Sequence, residues 1–512
     1  MCYNYALFLG SFLFMAENTN KVQKKYFTLT NFLIFLLALR FISGVFYSLV
    51  PVHGLHIWRQ TDVLSVAYSY YLRFVVEHNY LHFLMPSILN TDAGELNIQK
   101  MEFPLLNFLL FPFFAFGPYW GKVLANLFLI IMNFTLIGVN YQLLKKVKIA
   151  NVSAGLAVLL LANFSFAATW FTRVMPDDFS MLLALTGVSI SWQKPRTKLS
   201  ILFASLGILV KPTSLIVLFL NLLKYDTFIQ YFKSKTFIQD LIYGLISIAV
   251  GMVYYFGIVK YIGQFQHQAH FNMWMTNPIT QFMSFINDSN GIEYLFSIRL
   301  LCPPYVMWLI PNILQVQVML LPFLGLWLLG IVMFVHLLFK QEIIAWRAII
   351  VWALQFLTIV LLDGEHSFVH FYYYVGTSFA LSLVFCGYLE KAWGILKFLL
   401  IIIIFIQMAD ILNFEVGDYF TRHFQWNQGS RVAFYDECSA LKSRHPDFPW
   451  DKGYVFAGPP DDNHQAAYLG ICFGEFEQLA PSHYGFYYNW DPIPNNCQVV
   501  DSSEHISLVT CQ

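Results

Sequence analysis

Long apolar runs recur from residue 27 to residue 413 and limit what this chain can fold into more than any other feature. A helix needs about 20 apolar residues to cross a hydrocarbon core roughly 30 Å thick. Runs of that quality occupy residues 27–50, 120–143, 150–170, 237–259, 314–339, 343–362, 369–390 and 393–413. Shorter runs at 179–192, 199–210 and 212–225 bring the expected total to about eleven spans. Only 12% of the 512 residues are charged, about half the ~25% that a soluble surface carries. Mean hydropathy is +0.57, which excludes a water-soluble globule, a disordered chain and a fibrous repeat. Thirty basic residues balance thirty acidic ones, so no net field favours nucleic acid. The sequence predicts an all-α polytopic membrane protein whose first partner is the lipid bilayer.

Charge sets the expected topology. A cleaved signal peptide would place positive charge before its apolar stretch. Here Lys21, Lys24 and Lys25 follow the apolar residues 1–14 and lead into the first long run. They are expected on the cytoplasmic flank of the first span, with Met1 or Met15 as the start. The positive-inside rule then places Lys145, Lys146 and Lys148, and Lys194, Arg196 and Lys198, on the same side. Residues 103–117 are apolar but short and contain Pro104 and Pro112. Counted as a span, they would send Lys145, Lys146 and Lys148 outside, so they are expected to lie in the outer interface. By the same logic, 199–225 reads as two short helices meeting at Lys211-Pro212. One long helix would invert Lys224, Lys233, Lys235, Lys340, Arg347, Lys391 and Lys397. It would also bury Lys211 at mid-membrane, which costs several kcal/mol.

The resulting map has short basic cytoplasmic loops and long outer segments at 51–119, 171–178, 260–313 and 363–370. It divides the chain into a membrane domain, 1–413, and a small extracytoplasmic domain, 414–512, where polar residues, Pro and Gly replace the apolar runs. That tail contains Cys438, Cys472, Cys497 and Cys511. The even number allows two disulfides in three connectivities, and unpaired cysteines in a small domain are equally compatible. No spacing matches a zinc site, and no internal repeat is present.

Charged residues at the mouths of spans are the candidates for chemistry, because they are costly there unless used or neutralised. The first outer loop carries Trp58-Arg59-Gln60-Thr61-Asp62, and Glu102-Phe103-Pro104-Leu105 closes it. Arg59 and Asp62, at helical spacing i, i+3, either neutralise each other or serve a site. Asp177 and Asp178 follow Arg173 in a short outer loop. They suit acceptor orientation or a divalent cation, and they also suit a helix N-cap. Glu102 reads equally as a surface carboxylate beside Lys100. Lys211 would be an expensive unpaired ammonium at a helix break unless it meets an anion. His267 with His270, and His366 with His370, have metal-like spacing but no third ligand at a diagnostic distance.

Taken together, Trp-Arg-Gln-x-Asp, the Glu-Phe-Pro-Leu motif, Arg173-x-x-x-Asp177-Asp178, the Lys211-Pro212 tip and the run His370-Phe371-Tyr372-Tyr373-Tyr374 resemble the GT-C glycosyltransferase superfamily. The nearest branch contains bacterial relatives of protein O-mannosyltransferases and the lipid A aminoarabinose transferase. The pattern covers roughly residues 27–390, with Val63 as a departure where many members carry a polar residue. The resemblance implies a GT-C-like fold in a bacterial inner membrane. It also implies transfer of a sugar, hexosyl or pentosyl, from a polyprenyl-phosphate donor to a glycan, lipid or protein acceptor outside.

That chemistry needs a carboxylate to take the proton of a weak hydroxyl nucleophile, and Asp62 is the expected general base. It also needs cations on the departing lipid phosphate, for which Arg59, Lys211 and Arg299 are the candidates. Asp177, Asp178 and Glu102 complete the expected catalytic set. No cofactor is expected beyond a divalent cation of undetermined need. The rival expectation is a secondary transporter with its site at the broken helices near Lys211. It lacks a repeated half, and its charges would be expected at mid-span.

Overall fold

The computed structural model describes residues 29–49, 57–78, 87–88, 97–98, 103–146, 148–149, 152–153, 174–194, 197–225, 227–254, 343–363, most of 437–447, 454–457, 484–488, 495–504 and 506–511, with a few isolated positions. Helices dominate. In chain order they are α1 (Leu29–Leu49), α2 (Ile57–Tyr71), α3 (Leu105–Leu110), α4 (Pro118–Lys145), α5 (Pro176–Gln193), α6 (Lys198–Val210), α7 (Phe228–Phe232), α8 (Lys235–Met252) and α9 (Ile343–Asp363). A π turn, Leu72–Val76, extends α2, and a 3-10 segment, Phe111–Phe116, extends α3. A 3-10 helix, Pro212–Lys224, follows α6.

Local chemistry explains the boundaries. Pro stands in the first turn of α4, of α5 and of the 3-10 helix, where its missing N–H costs nothing. Thr197 and Ser234 cap α6 and α8 through their hydroxyls. Gly117 separates the 103–116 segment from α4 at φ 85°, a left-handed backbone angle suited to glycine. The expected break at Lys211-Pro212 is present: α6 ends at Val210, and Lys211 is extended (φ −150°, ψ 115°). The 3-10 helix has the same 13 residues as α6. At a rise of about 2.0 Å per residue it reaches about 26 Å, against about 20 Å for α6.

Burial follows an inverted pattern. On α8, Thr236, Gln239, Asp240, Tyr243 and Ser247 are buried, while Ile238, Leu241, Ile242, Leu245 and Ile246 are exposed. On α4, Lys122, Asn126, Asn133 and Asn140 form one buried stripe, and Ile131 and Val139 face out. A helix in water does the reverse, and a helix bathed in hydrocarbon turns its polar groups inward. Among the described residues, Trp120–Leu144 and Lys235–Met252 are long and apolar enough to cross a membrane.

Helices α5 and α6 make the closest packing, and glycine allows it. A Cβ at Gly207 would lie 2.6 Å from the Ser180 carbonyl oxygen, and one at Gly187 would lie 2.7 Å from the Ala204 nitrogen. Helix α9 packs on the 3-10 helix, where Gln355 donates to the Ile216 carbonyl at 2.9 Å.

The structure corrects the all-α expectation to mostly helical. Short antiparallel hairpins pair β1 (Ser87–Ile88) with β2 (Asn97–Ile98), and β3 (Lys148–Ile149) with β4 (Val152–Ser153). Near the carboxyl end, β5 (Tyr454–Ala457), β6 (Tyr484–Tyr488), β7 (Cys497–Ser502) and β8 (Ile506–Cys511) form a sheet in the order β5-β6-β8-β7. Only the β5–β6 pair is parallel. These segments are rich in aromatic and β-branched residues, which favour strands. Cys497 is disulfide-bonded, which removes the unpaired reading at that position, and Cys511 stands opposite it in the β7–β8 register. The expected run 150–170 contains β4 at Val152–Ser153. The rest of that run, the runs 314–339 and 393–413, and most of 369–390 lie outside the described residues.

Candidate functional site

The amino end of α5 meets the carboxyl end of α6. Asp177 and Asp178 stand in the first turn of α5 and are fully buried. The Lys211 ammonium lies 3.6 Å from Asp177 Oδ1, and both side chains are at most 3% exposed. The premise of an unpaired Lys211 therefore gives way to a buried ion pair across 34 residues of sequence. Neither aspartate is the N-cap, because Met175 holds that position without a side-chain bond. Ser180 Oγ donates to the Asp177 main-chain carbonyl at 2.6 Å. Among the described residues, none donates a hydrogen bond to either Asp178 oxygen, and the buried hydroxyls of Thr213 and Ser214 are likewise unmatched. Burial without a partner is costly for a carboxylate, and an incoming ligand with N–H or O–H groups would relieve it. A divalent cation fits Asp177 less well, since it would displace Lys211. No group of three His, Cys, Asp or Glu gathers among the described residues.

Arg59 and Asp62 lie one turn apart on α2. Two long-range contacts hold that stretch. Tyr47 OH on α1 donates to Gln60 Oε1 at 2.9 Å, and Asn107 Nδ2 on α3 donates to the Val63 carbonyl at 2.7 Å. Helix α3 also packs against α6, whose end carries Lys211. Aromatic rings complete the contact: Tyr70 stacks on Phe108 with centroids 4.8 Å apart, and Phe103 meets Tyr254 at 5.0 Å. Residues 103–110 thus bridge the helix of Asp62 and the helix of Lys211. Glu102, Arg299, Arg173 and the four histidines with metal-like spacing lie outside the described residues.

Buried ionisable residues on α1, α4 and α8 escaped the sequence reading. Arg40 on α1 bonds Ser43 at 3.1 Å, and Lys122 on α4 donates to the Ser48 carbonyl at 2.7 Å. Asp240 on α8 accepts from Asn221 Nδ2 at 3.0 and 2.9 Å and from Tyr231 OH at 2.8 Å. Asn221 in turn accepts from Trp192 Nε1 at 2.9 Å and Ser191 Oγ at 3.2 Å. This clasp joins α5, the 3-10 helix and α8 at the end remote from Asp177 and Lys211. The available signal was a charge inside an apolar run, which marks a residue that needs a partner.

No family model and no curated protein matches the chain. Its structure is similar to that of ArnT from Cupriavidus metallidurans bound to undecaprenyl phosphate, with a TM-score of 0.47 and 11% identity. The same protein in its apo state gives a TM-score of 0.43 and 12% identity. Each match covers 94% of this chain and 98% of ArnT.

Proposed function

We propose that this chain is a membrane glycosyltransferase of GT-C type, moving a sugar from a polyprenyl-phosphate donor to an acceptor outside a bacterial inner membrane. The observation that carries the reading is the buried Asp177–Lys211 pair beside the unmatched Asp178 carboxylate. It sits at the end of α5 and α6, and the short helix Leu105–Leu110 ties α6 to the Trp-Arg-Gln-x-Asp helix.

In this reading Asp62 takes the proton of the acceptor hydroxyl as its oxygen attacks the anomeric carbon. The bond to the lipid phosphate breaks on the opposite face, so the anomeric centre inverts. Arg59, Arg299 and Lys211 stabilise the charge that develops on the leaving phosphate. Asp177 orients the Lys211 ammonium for the phosphate, and Asp178 with Glu102 receives acceptor hydroxyls. No step requires a metal.

The test uses the full-length protein in nanodiscs, radiolabelled polyprenyl-phosphate hexoses and pentoses, and membrane extract as the acceptor source. Donor consumption is expected. Asp62→Asn should lower it by about two to four orders of magnitude while undecaprenyl phosphate still binds. Near-normal turnover in Asp62→Asn would remove the base and with it the mechanism. One observation favours a transporter instead: the Lys211 break is buried between its helices, as midplane transporter sites are. Binding of donor without consumption, in every preparation, would favour that reading.

A further inference from the structure

Two hydrogen bonds flank position 62 on either side along α2. Gln60 is tied to α1 through Tyr47, and the Val63 carbonyl is tied to α3 through Asn107. All four positions are buried, with Tyr47, Gln60, Val63 and Asn107 at most 2% exposed. The donors come from separate elements, 13 residues before Gln60 and 44 residues after Val63. The amide of Asn107 reaches a carbonyl in mid-helix, which a helix does not need for its own ladder. Such a bond fixes the rotation and height of that turn against α3.

We propose that Asn107 and Tyr47 are positioning residues for Asp62, holding its turn of α2 from two sides, against α1 and against the short helix that also packs on α6. The proposal rests on the reading of Asp62 as the base. It gives the second motif of the loop a physical task. Phe103-Pro104-Leu105 leads into the short helix that delivers Asn107, and that helix touches both α2 and α6. Pro104 is the N-cap of this six-residue helix, so it fixes where Asn107 falls along the turn. A base displaced by about 1 Å can lose about a hundredfold in rate without any change in its own chemistry.

Asn107→Leu removes the donor while keeping the number and branching of heavy atoms, and Tyr47→Phe removes only a hydroxyl, so the second serves where the first fails to fold. Each variant is measured in three ways: donor consumption, affinity for undecaprenyl phosphate, and the rate at which Asp62→Cys is modified by a thiol reagent in a cysteine-free background. The expected result is turnover lowered about ten- to a hundredfold, lipid affinity within about twofold, and an altered modification rate at position 62. Unchanged turnover and an unchanged modification rate in folded Asn107→Leu and Tyr47→Phe would overturn the proposal. Turnover and lipid affinity falling together would overturn it too, by assigning the two residues to general packing. If Asp62→Asn itself turns over normally, the base assignment has failed instead, and the modification rate still reports whether the turn has moved.

Discussion

Asp177 cannot be ionised in a nearly dry site without Lys211, and the reverse also holds. Removing one partner of a buried pair leaves an uncompensated charge at a cost of about 3–5 kcal/mol, whereas removing both together is often close to neutral. Lys211→Met should therefore unfold at a markedly lower temperature, and Lys211→Met with Asp177→Asn should recover most of the loss. Both should bind undecaprenyl phosphate weakly if Lys211 serves the phosphate. Thermal unfolding and lipid binding on the same samples separate the two effects, and normal binding in the double variant would take Lys211 out of the donor site. At the carboxyl end, Asp501 gives a residue-scale prediction in the opposite regime. Its carboxyl is held down to about 2, chiefly by the Arg444 N–H, with help from His445 and the Ser502 N–H. A carboxyl lowered in the folded state stabilises it above the ordinary value near 3.9, and the effect fades as pH falls through about 2. The melting-temperature gap between wild type and Asp501→Asn should be steady from pH 7 to about pH 5 and narrow towards pH 2. A gap that persists undiminished at the acid end would deny the ion pair its role.

Elements meet where small residues let them. A methyl at Gly207 would press on the backbone of Ser180 and Ala184, which cannot swing aside as a side chain can. Gly207→Ala should therefore force α5 from α6 and cost about 1–3 kcal/mol. It should also weaken donor binding, because Asp177 and Lys211 ride on the two separated helices. An unchanged melting temperature would mean that the helices repack without strain. The element boundaries were largely legible in the sequence. Pro212 after a basic residue is a local signal that acts within one turn, whereas α5 starts at Pro176, three residues before the expected run, and so takes Asp177 and Asp178 out of the expected outer loop. What the sequence hid was pairing at a distance: Asp177 with Lys211, Asn107 with Val63, and Asp240 with Asn221. Each partner looks ordinary alone, and only the packing of α3, α5, α6 and α8 makes them neighbours. The sheet was missed for another reason. Tyr484–Tyr488 and Ile506–Cys511 are short and mix aromatic with apolar residues, so they lack the clean alternation that announces a strand.

Across the whole molecule, the distribution of Lys and Arg asks for a cytoplasmic amino terminus and an external carboxyl-terminal tail. Cys497 is disulfide-bonded, and a disulfide persists outside the cytoplasm, where thiols are not kept reduced. Two measurements follow from it. A cysteine placed at Ser502 in a cysteine-free background should react with an impermeant reagent in intact cells. In the unaltered protein, Cys497 should resist alkylation until a reductant is added. Labelling of Ser502→Cys only after lysis would shift the span count by one. The clasp at Asp240 gives the 3-10 helix Pro212–Lys224 a further significance. It is anchored near one end by Asn221, while Lys211 precedes the other. Rewound as an α-helix, its 13 residues would shorten by about 6 Å, the difference between rises of about 2.0 and 1.5 Å per residue. With Asn221 tethered, the ten residues from Pro212 to Asn221 would carry about 5 Å of that change to Lys211, beyond the reach of an ion pair. The 3-10 ladder seen here thus has the length that brings Lys211 to Asp177, and an α-helical ladder would be too short for it.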